Sequence, residues 1–330
     1  MELIKDQADS LRKIIQLESN RKVVSFKRDL LSSKSRIVIS ITSGKGGVGK
    51  TNIVGNLGIA FRKLGKKVLI LDADLGLANI DIIYGISPKY NIDDFIKGHK
   101  ELSDIIVKGP EGVDVIPASS GVQELTDLSD GHKMHLLSEF NRLENEYEIF
   151  LIDTGAGISS NVIYFNIAAN KRIVVITPEP TSLTDAYALI KVLYYNHHIN
   201  NFILLFNMVD NEIEAQNLYR HFTEVVNRFM GGIALEYIGA IVKDRYLIDS
   251  VKSRRPVICE YPNCNFSQSI IEIAEKLLKM EKENSDGNIK FFLNIFLNKK
   301  IEEEFLKLSS FSPPKHLRFL PGILPFLNGS

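Results

Sequence analysis

Apolar residues gather in short runs along this chain: RIVISIT (36–42), KVLILDAD (67–74), VDVIPAS (113–119), YEIFLIDTG (147–155), KRIVVITP (171–178), NFILLFN (201–207) and LEYIGAIV (235–242). The runs are rich in Ile, Val, Leu and Phe and do not alternate strictly with polar residues. Such runs predict strands buried on both faces. Segments of helical length separate most of them, for example 181–196 and 212–230. Strand, helix and strand in repetition predict an α/β fold: a doubly wound, mostly parallel sheet with helices on both faces. The pattern divides the chain in three: residues 1–35 before the first strand, a domain over 36–283 ending in a helix at 266–283, and a tail over 284–330 after the breaker NSDGN.

Composition adds bounds. The 330 residues are 45% hydrophobic and 24% charged, which fits an ordinary soluble globular chain with a substantial core. Lys+Arg and Asp+Glu both number 40, which argues against a whole-protein attraction to DNA though not against a local basic patch, and no specific nucleic-acid partner is expected. The two cysteines, Cys259 and Cys264, make no disulfide framework and fit a reducing cytoplasm. The start, MELIKDQADSLRK, lacks the apolar core of a signal peptide, and no run is long enough to predict a membrane span.

The chemistry begins at SGKGGVGKT (43–51), between the first strand and the helical segment TNIVGNLGIAFRKLG. A loop G-x-x-x-x-G-K-[ST] in that context is a phosphate cradle. Its glycines, Gly44, Gly46, Gly47 and Gly49, with Val48 between them, let backbone N–H groups approach an anion at a helix N-terminus. Lys50 is placed to reach the β/γ-phosphates and Thr51 to ligate Mg²⁺. Two further strands end in aspartate, at Asp72 and Asp74 and at Asp153. Strand-end carboxylates beside such a loop can hold the metal or orient a water, or can serve as helix caps and turn formers.

SGKGGVGKT, DADLGLANID and DTGAG together resemble the MinD/ParA family of deviant P-loop ATPases, over about residues 36–283. The resemblance gives the second lysine of the loop a role. It implies that Lys45 crosses an ATP-sandwiched homodimer to the partner's phosphates, so that dimerisation reports nucleotide state. It further implies ATP and Mg²⁺ as cofactors, Asp74 as the residue orienting the attacking water, Asp153 in the magnesium shell, and Asn207 as an adenine contact. The implied protein is a slow ATPase, monomeric with ADP and dimeric with ATP.

The ends select a subgroup. Ile4, Ala8, Leu11 and Ile15 form one apolar stripe of a helix, which could fold back on the core or dock elsewhere. DQADSLR (6–12) is similar to the D-Q-A-x-x-L-R element of the flagellar-number ATPases FlhG and FleN, as is PEPTSLTDAYALIK (178–191) to that subgroup. That resemblance implies control of flagellum number or placement, with Gln7 inserted beside the nucleotide of an FlhF-like GTPase. It also implies flagellar switch or C-ring proteins, or a flagellar transcription regulator, as partners. In IKFFLNIFLNKKI (289–301), Lys290, Asn294 and Asn298 share one stripe and apolar residues cover most of the rest. This segment either lies in a membrane interface, giving reversible peripheral contact with the inner membrane, or packs on the domain.

Rival members of the family are division-site ATPases, partition ATPases and iron–sulfur carriers. Cys259 and Cys264 have four residues between them, not the C-x-x-C of the cluster carriers, although two per subunit would give four in a dimer. The basic clusters NRK (20–22), KR (27–28) and KSRR (252–255) are short enough to be solvated surface. The last segment, 309–330, carries four prolines and forms no continuous helix, and no function follows from its sequence.

Overall fold

The computed structural model describes residues 37–74, 79–118, 129–143 and 146–283. Gln7, the 289–301 stripe and the end of the tail lie outside them.

All seven apolar runs are strands: β1 (Ile37–Ser43), β2 (Val68–Ala73), β4 (Asp114–Ile116), β5 (Ile149–Ala156), β6 (Lys171–Ile176), β7 (Asn201–Val209) and β8 (Ala234–Val242). Between β2 and β4 lies an additional two-residue strand, β3 (Val107–Lys108). The sheet order is β3-β4-β2-β5-β1-β6-β7-β8. Every neighbouring pair in this order is parallel except β3 with β4. Two residues are too few to make a periodic signal, which is why β3 cannot be read from the sequence.

The helices used below are α1 (Lys50–Lys63), α2 (Asp130–Leu143), α3 (Ser160–Ala168), α4 (Pro180–His197), α5 (Glu212–Phe229), α6 (Arg245–Ser253) and α7 (Asn265–Glu283). They cover both faces of the sheet. Ile37, Ile39 and Ile41 of β1 join the core under α1 and α7, while Val38 joins the core on the face of α2 and α3. Val174 and Ile176 of β6 and Leu204 and Phe206 of β7 pack under α4 and α5. Both sides of each central strand are therefore buried, which explains runs without strict alternation. α1 is wedged between the sheet and α7, and its residues from Ile53 to Phe61 are all buried. Gly58 makes the close approach possible, because a β-carbon there would lie 2.9 Å from Ile70 of β2.

Side-chain caps fix the starts of several helices. Ser159 accepts from the Val162 N–H, Asn211 from the Glu214 N–H and Asp244 from the Tyr246 N–H. None caps α1, whose N-cap is Gly49 in the left-handed region. β1 lies inside the sheet between β5 and β6; the chain leaves it toward β2 on the β5 side and later continues from β5 across it to β6, so the winding reverses around β1. The crevice outside the carboxyl ends of such strands is where α/β sheets bind ligands.

Candidate functional site

Residues 44–49 leave the end of β1 and turn into α1. Gly47 (φ 77°) and Gly49 (φ 91°) occupy the left-handed region, where a side chain would strain the backbone. The loop is also tightly walled. A β-carbon on Gly44 would meet the backbone of Asp185 in α4 at 2.1 Å, and one on Gly49 would meet Nδ2 of Asn207 at 2.5 Å. Asn207 is buried at the end of β7 and donates to the Val48 carbonyl over 2.7 Å. The next residue, Met208, is itself left-handed (φ 58°), and its Cε lies 3.6 Å from the same point beside Gly49.

The two lysines of the loop face different surroundings. Lys50 is buried and donates to the Ser43 hydroxyl over 2.8 Å. Burial lowers its pKa, and the charges of Asp153 and Asp74 oppose that shift. Lys45 is partly exposed, pairs with the carboxylate of Glu179 and donates to Thr181 Oγ1 over 3.1 Å. Glu179 is the N-cap of α4 and Thr181 lies in its first turn. One ammonium thus points into the crevice and the other out along its rim.

The acidic residues separate in the same way. Asp72 and Asp153 sit side by side across the β2–β5 pair. Asp72 accepts from the backbone N–H groups of Asp74 (3.2 Å), Asn79 (3.1 Å) and Ile80 (3.2 Å). It thereby joins the two ends of the 74–79 loop and caps the short helix Ile80–Tyr84. Burial, with the charge of Asp153 second, raises its pKa well above the carboxylate range. Asp153 is fully buried, and neither of its oxygens has a hydrogen-bond partner among the described residues. Burial raises its pKa to about 7, while Thr51 and Lys50 favour the charged form. Thr51 acts from nearby without closing a hydrogen bond of ordinary geometry. Asp74 completes the group, with Oδ1 3.5 Å from where a β-carbon on Gly155 would lie.

A family model described as an AAA domain matches residues 36–204. The chain is 40% identical over 257 residues to the antiactivator FleN of Pseudomonas aeruginosa, covering 78% of this chain and 91% of FleN. The chain is a P-loop ATPase of the MinD/ParA family. It is also 37% identical over 240 residues to the flagellum site-determining protein YlxH of Helicobacter pylori, covering 73% of this chain and 81% of YlxH. Among solved structures, the septum site-determining protein MinD of Pyrococcus horikoshii, complexed with Mg-ADP, superposes with a TM-score of 0.61 at 26% identity. That match covers 75% of this chain and 97% of MinD.

For a member of this family the residues present fit a magnesium nucleotide. A buried carboxylate with both oxygens unpartnered, beside a threonine hydroxyl, suits a hard cation with oxygen ligands. The uncapped N-terminus of α1 presents its N–H groups to an anion. The fold brings together every site residue of the sequence reading within the described chain: Gly44–Thr51, Asp74, Asp153 and Asn207. Sequence reasoning missed Ser43 as the partner of Lys50, and Glu179 and Thr181 as partners of Lys45. The last two lie inside PEPTSLTDAYALIK, which resembled the flagellar subgroup without revealing this chemistry. Among the described residues no helix is long and apolar enough to cross a membrane.

Proposed function

We propose that this protein is an ATP-dependent dimerising switch that controls flagellum number or placement. The observation that carries the reading is the divergence of the two loop lysines. Lys50 is committed to the interior of its own site, within the field of Asp153 and Asp74. Lys45 lies on the rim, held by partly exposed groups of α4, and is available to a second subunit. In the proposed cycle two ATP-loaded protomers meet face to face, and each Lys45 reaches the phosphates of the other. Thr51 and Asp153 would hold Mg²⁺, which would supply positive charge against the phosphates. Asp74 orients the attacking water, and Asn207 meets the adenine at the back of the P-loop. Hydrolysis is slow, and ADP returns the protein to monomers.

The flagellar assignment is supported by FleN and YlxH, relatives named for antiactivation and for flagellar site determination. Residues 1–35 extend this reading. Gln7 enters the site of an FlhF-like GTPase and accelerates its turnover, while Leu11 and its stripe hold the helix on the partner. The 289–301 segment provides peripheral membrane contact. Deletion of the gene in the native host tests the assignment. A changed number or position of flagella, seen by electron microscopy, is expected. Unchanged flagella with misplaced division septa would transfer the chain to the division-site class.

A further inference from the structure

The face of β1 turned toward α3 reads Val38, Ser40, Thr42, and both hydroxyls are fully buried. A hydroxyl in that position needs a partner. Both partners are one side chain, Asn166 of α3, also fully buried. Ser40 Oγ donates to Asn166 Oδ1 over 3.0 Å. Asn166 Nδ2 donates to Thr42 Oγ1 over 3.1 Å and to the Val162 carbonyl, one turn back in its own helix, over 2.8 Å. A carbonyl can only accept, so Val162 fixes which end of the amide is nitrogen.

The far end of α3 is held as firmly. Arg172, at the start of β6, donates to the carbonyls of Asn166 and Ala169, each over 2.6 Å, and to Asn201 Oδ1 over 2.9 Å. Asn170 exchanges two hydrogen bonds with the Val38 backbone, its Oδ1 accepting from the Val38 N–H and its own N–H donating to the Val38 carbonyl, each 2.9 Å. β5 runs on past Asp153 to Ala156, and the loop Gly157–Ser159 leads from it into the near end of α3. Thr154 Oγ1, still in β5, donates to the Ile41 carbonyl over 3.1 Å, and the Gly157 N–H in the loop donates to the Ser43 carbonyl over 2.9 Å. Successive residues of β1 therefore anchor the helix (Ser40, Thr42), the end of β5 (Ile41) and the loop (Ser43), and the P-loop follows at once.

We propose that Asn166 is a positioning residue for hydrolysis: it locks α3 in one register on β1, so that the Gly157–Ser159 loop moves against the P-loop from a fixed end. An amide bonded to two hydroxyls and a carbonyl is satisfied in one register, whereas apolar side chains pack in several neighbouring registers at similar energy. With the helix pinned, a change in the phosphate site is taken up by the loop that follows the Asp153 strand. Without the pin, the helix can shift and absorb it. The inference rests on the ATPase reading above.

Two variants test it. Thr42→Val keeps the shape of the side chain and removes one acceptor. The trio Ser40→Ala, Thr42→Val, Asn166→Leu removes the network and leaves no buried polar partner behind, which is the kind of replacement that preserves stability. Urea unfolding, ATP and ADP affinity and kcat with Mg²⁺ are measured on each. We expect a folded trio with nucleotide affinities within about two-fold of wild type and kcat lowered about ten-fold, and a kcat loss of about three-fold for Thr42→Val. A folded trio with wild-type kcat overturns the proposal, because the network is then structural only. If the trio does not fold, Thr42→Val decides, and unchanged kcat in that variant is equally fatal. A wild-type protein that binds no ATP would sink the underlying ATPase reading first, and this proposal with it.

Discussion

Asp153 is a buried carboxylate whose two oxygens have no hydrogen-bond partner among the described residues. Replacing it by asparagine should improve the empty protein and damage the loaded one. Burial moves its pKa from 3.8 to about 7. A raised pKa means that the folded state favours the protonated acid. The penalty for folding with Asp153 charged is therefore absent below about pH 4, grows as pH rises, and is complete above about pH 7. At ~1.4 kcal/mol per pKa unit, a displacement of this size sets a ceiling of ~4 kcal/mol. The attraction between Asp153 and Lys50 is lost in the variant, and an amide placed there must itself find partners. A gain of ~1–3 kcal/mol at pH 8 is expected without nucleotide and Mg²⁺. Urea unfolding of wild type and Asp153→Asn between pH 5 and pH 8 measures it. The difference should shrink steadily toward pH 5. Saturating Mg·ATP should reverse the order, because a ligand held 100-fold above its Kd adds ~2.7 kcal/mol to the protein that binds it well. An Asp153→Asn variant less stable than wild type at pH 8, or a gap that does not change with pH, refutes the reasoning. If Mg·ATP stabilises both proteins equally, Asp153 has no place in the metal shell.

Further outcomes follow from the other residues. Lys45→Ala should keep nucleotide affinity within a few-fold and lose ATP-dependent dimerisation and hydrolysis, whereas Lys50→Ala should lose binding by tenfold or more; light scattering and equilibrium titration distinguish them. Asp74→Ala should slow the chemical step at least about a hundredfold and trap the dimer, and a variant that stays monomeric on size exclusion with Mg·ATP would give Asp74 a different role. A peptide of residues 1–20 should accelerate GTP hydrolysis by the cognate FlhF-like GTPase, with Gln7→Ala removing most of the effect and Leu11→Asp removing binding. Deletion of 289–330 should abolish ATP-dependent sedimentation with anionic liposomes and Phe292→Glu should weaken it strongly, whereas loss of solubility on deletion would place the segment on the domain instead.

The large features of this molecule were legible because they are local. The central strands are buried on both faces, so their runs do not alternate strictly, and the P-loop is one uninterrupted stretch. What the sequence hid is non-local. Glu179 lies 134 residues from Lys45, and Asn166 lies 126 residues from Ser40. Nothing in RIVISIT marks Ser40 and Thr42 as polar anchors until α3 is laid against them. Asp72 shows an alternative that the sequence left open. As a strand-end carboxylate beside Asp74 it has the form of a site residue, yet its oxygens accept three backbone N–H groups. The cap reading of such aspartates is realised in Asp72, while Asp153, equally placed in the sequence, has no hydrogen-bond partner among the described residues.

The two lysines also bound how the proposed switch can work. The contact of Lys45 with Glu179 joins side chains that are 35% and 58% exposed. A pair so open to water contributes ~0–1 kcal/mol, so it can set a resting position for Lys45 but cannot lock it. In a two-fold dimer every trans contact occurs twice. Two ammonium-to-phosphate contacts, at ~1.5–3 kcal/mol each for hydrogen bonds to charged groups, offer ~3–6 kcal/mol, against at most ~2 kcal/mol for releasing two exposed pairs. Moving a population from 1:99 to 99:1 takes ~5.5 kcal/mol of differential binding. The lysines alone reach that only at the top of their range, so the loops beside the γ-phosphate must contribute as well. In the proposed switch that requirement falls on the Gly157–Ser159 loop, which already touches Ser43 through Gly157. On that proposal Lys50 would govern whether a nucleotide is held, and Lys45 with the loop whether two loaded subunits stay together.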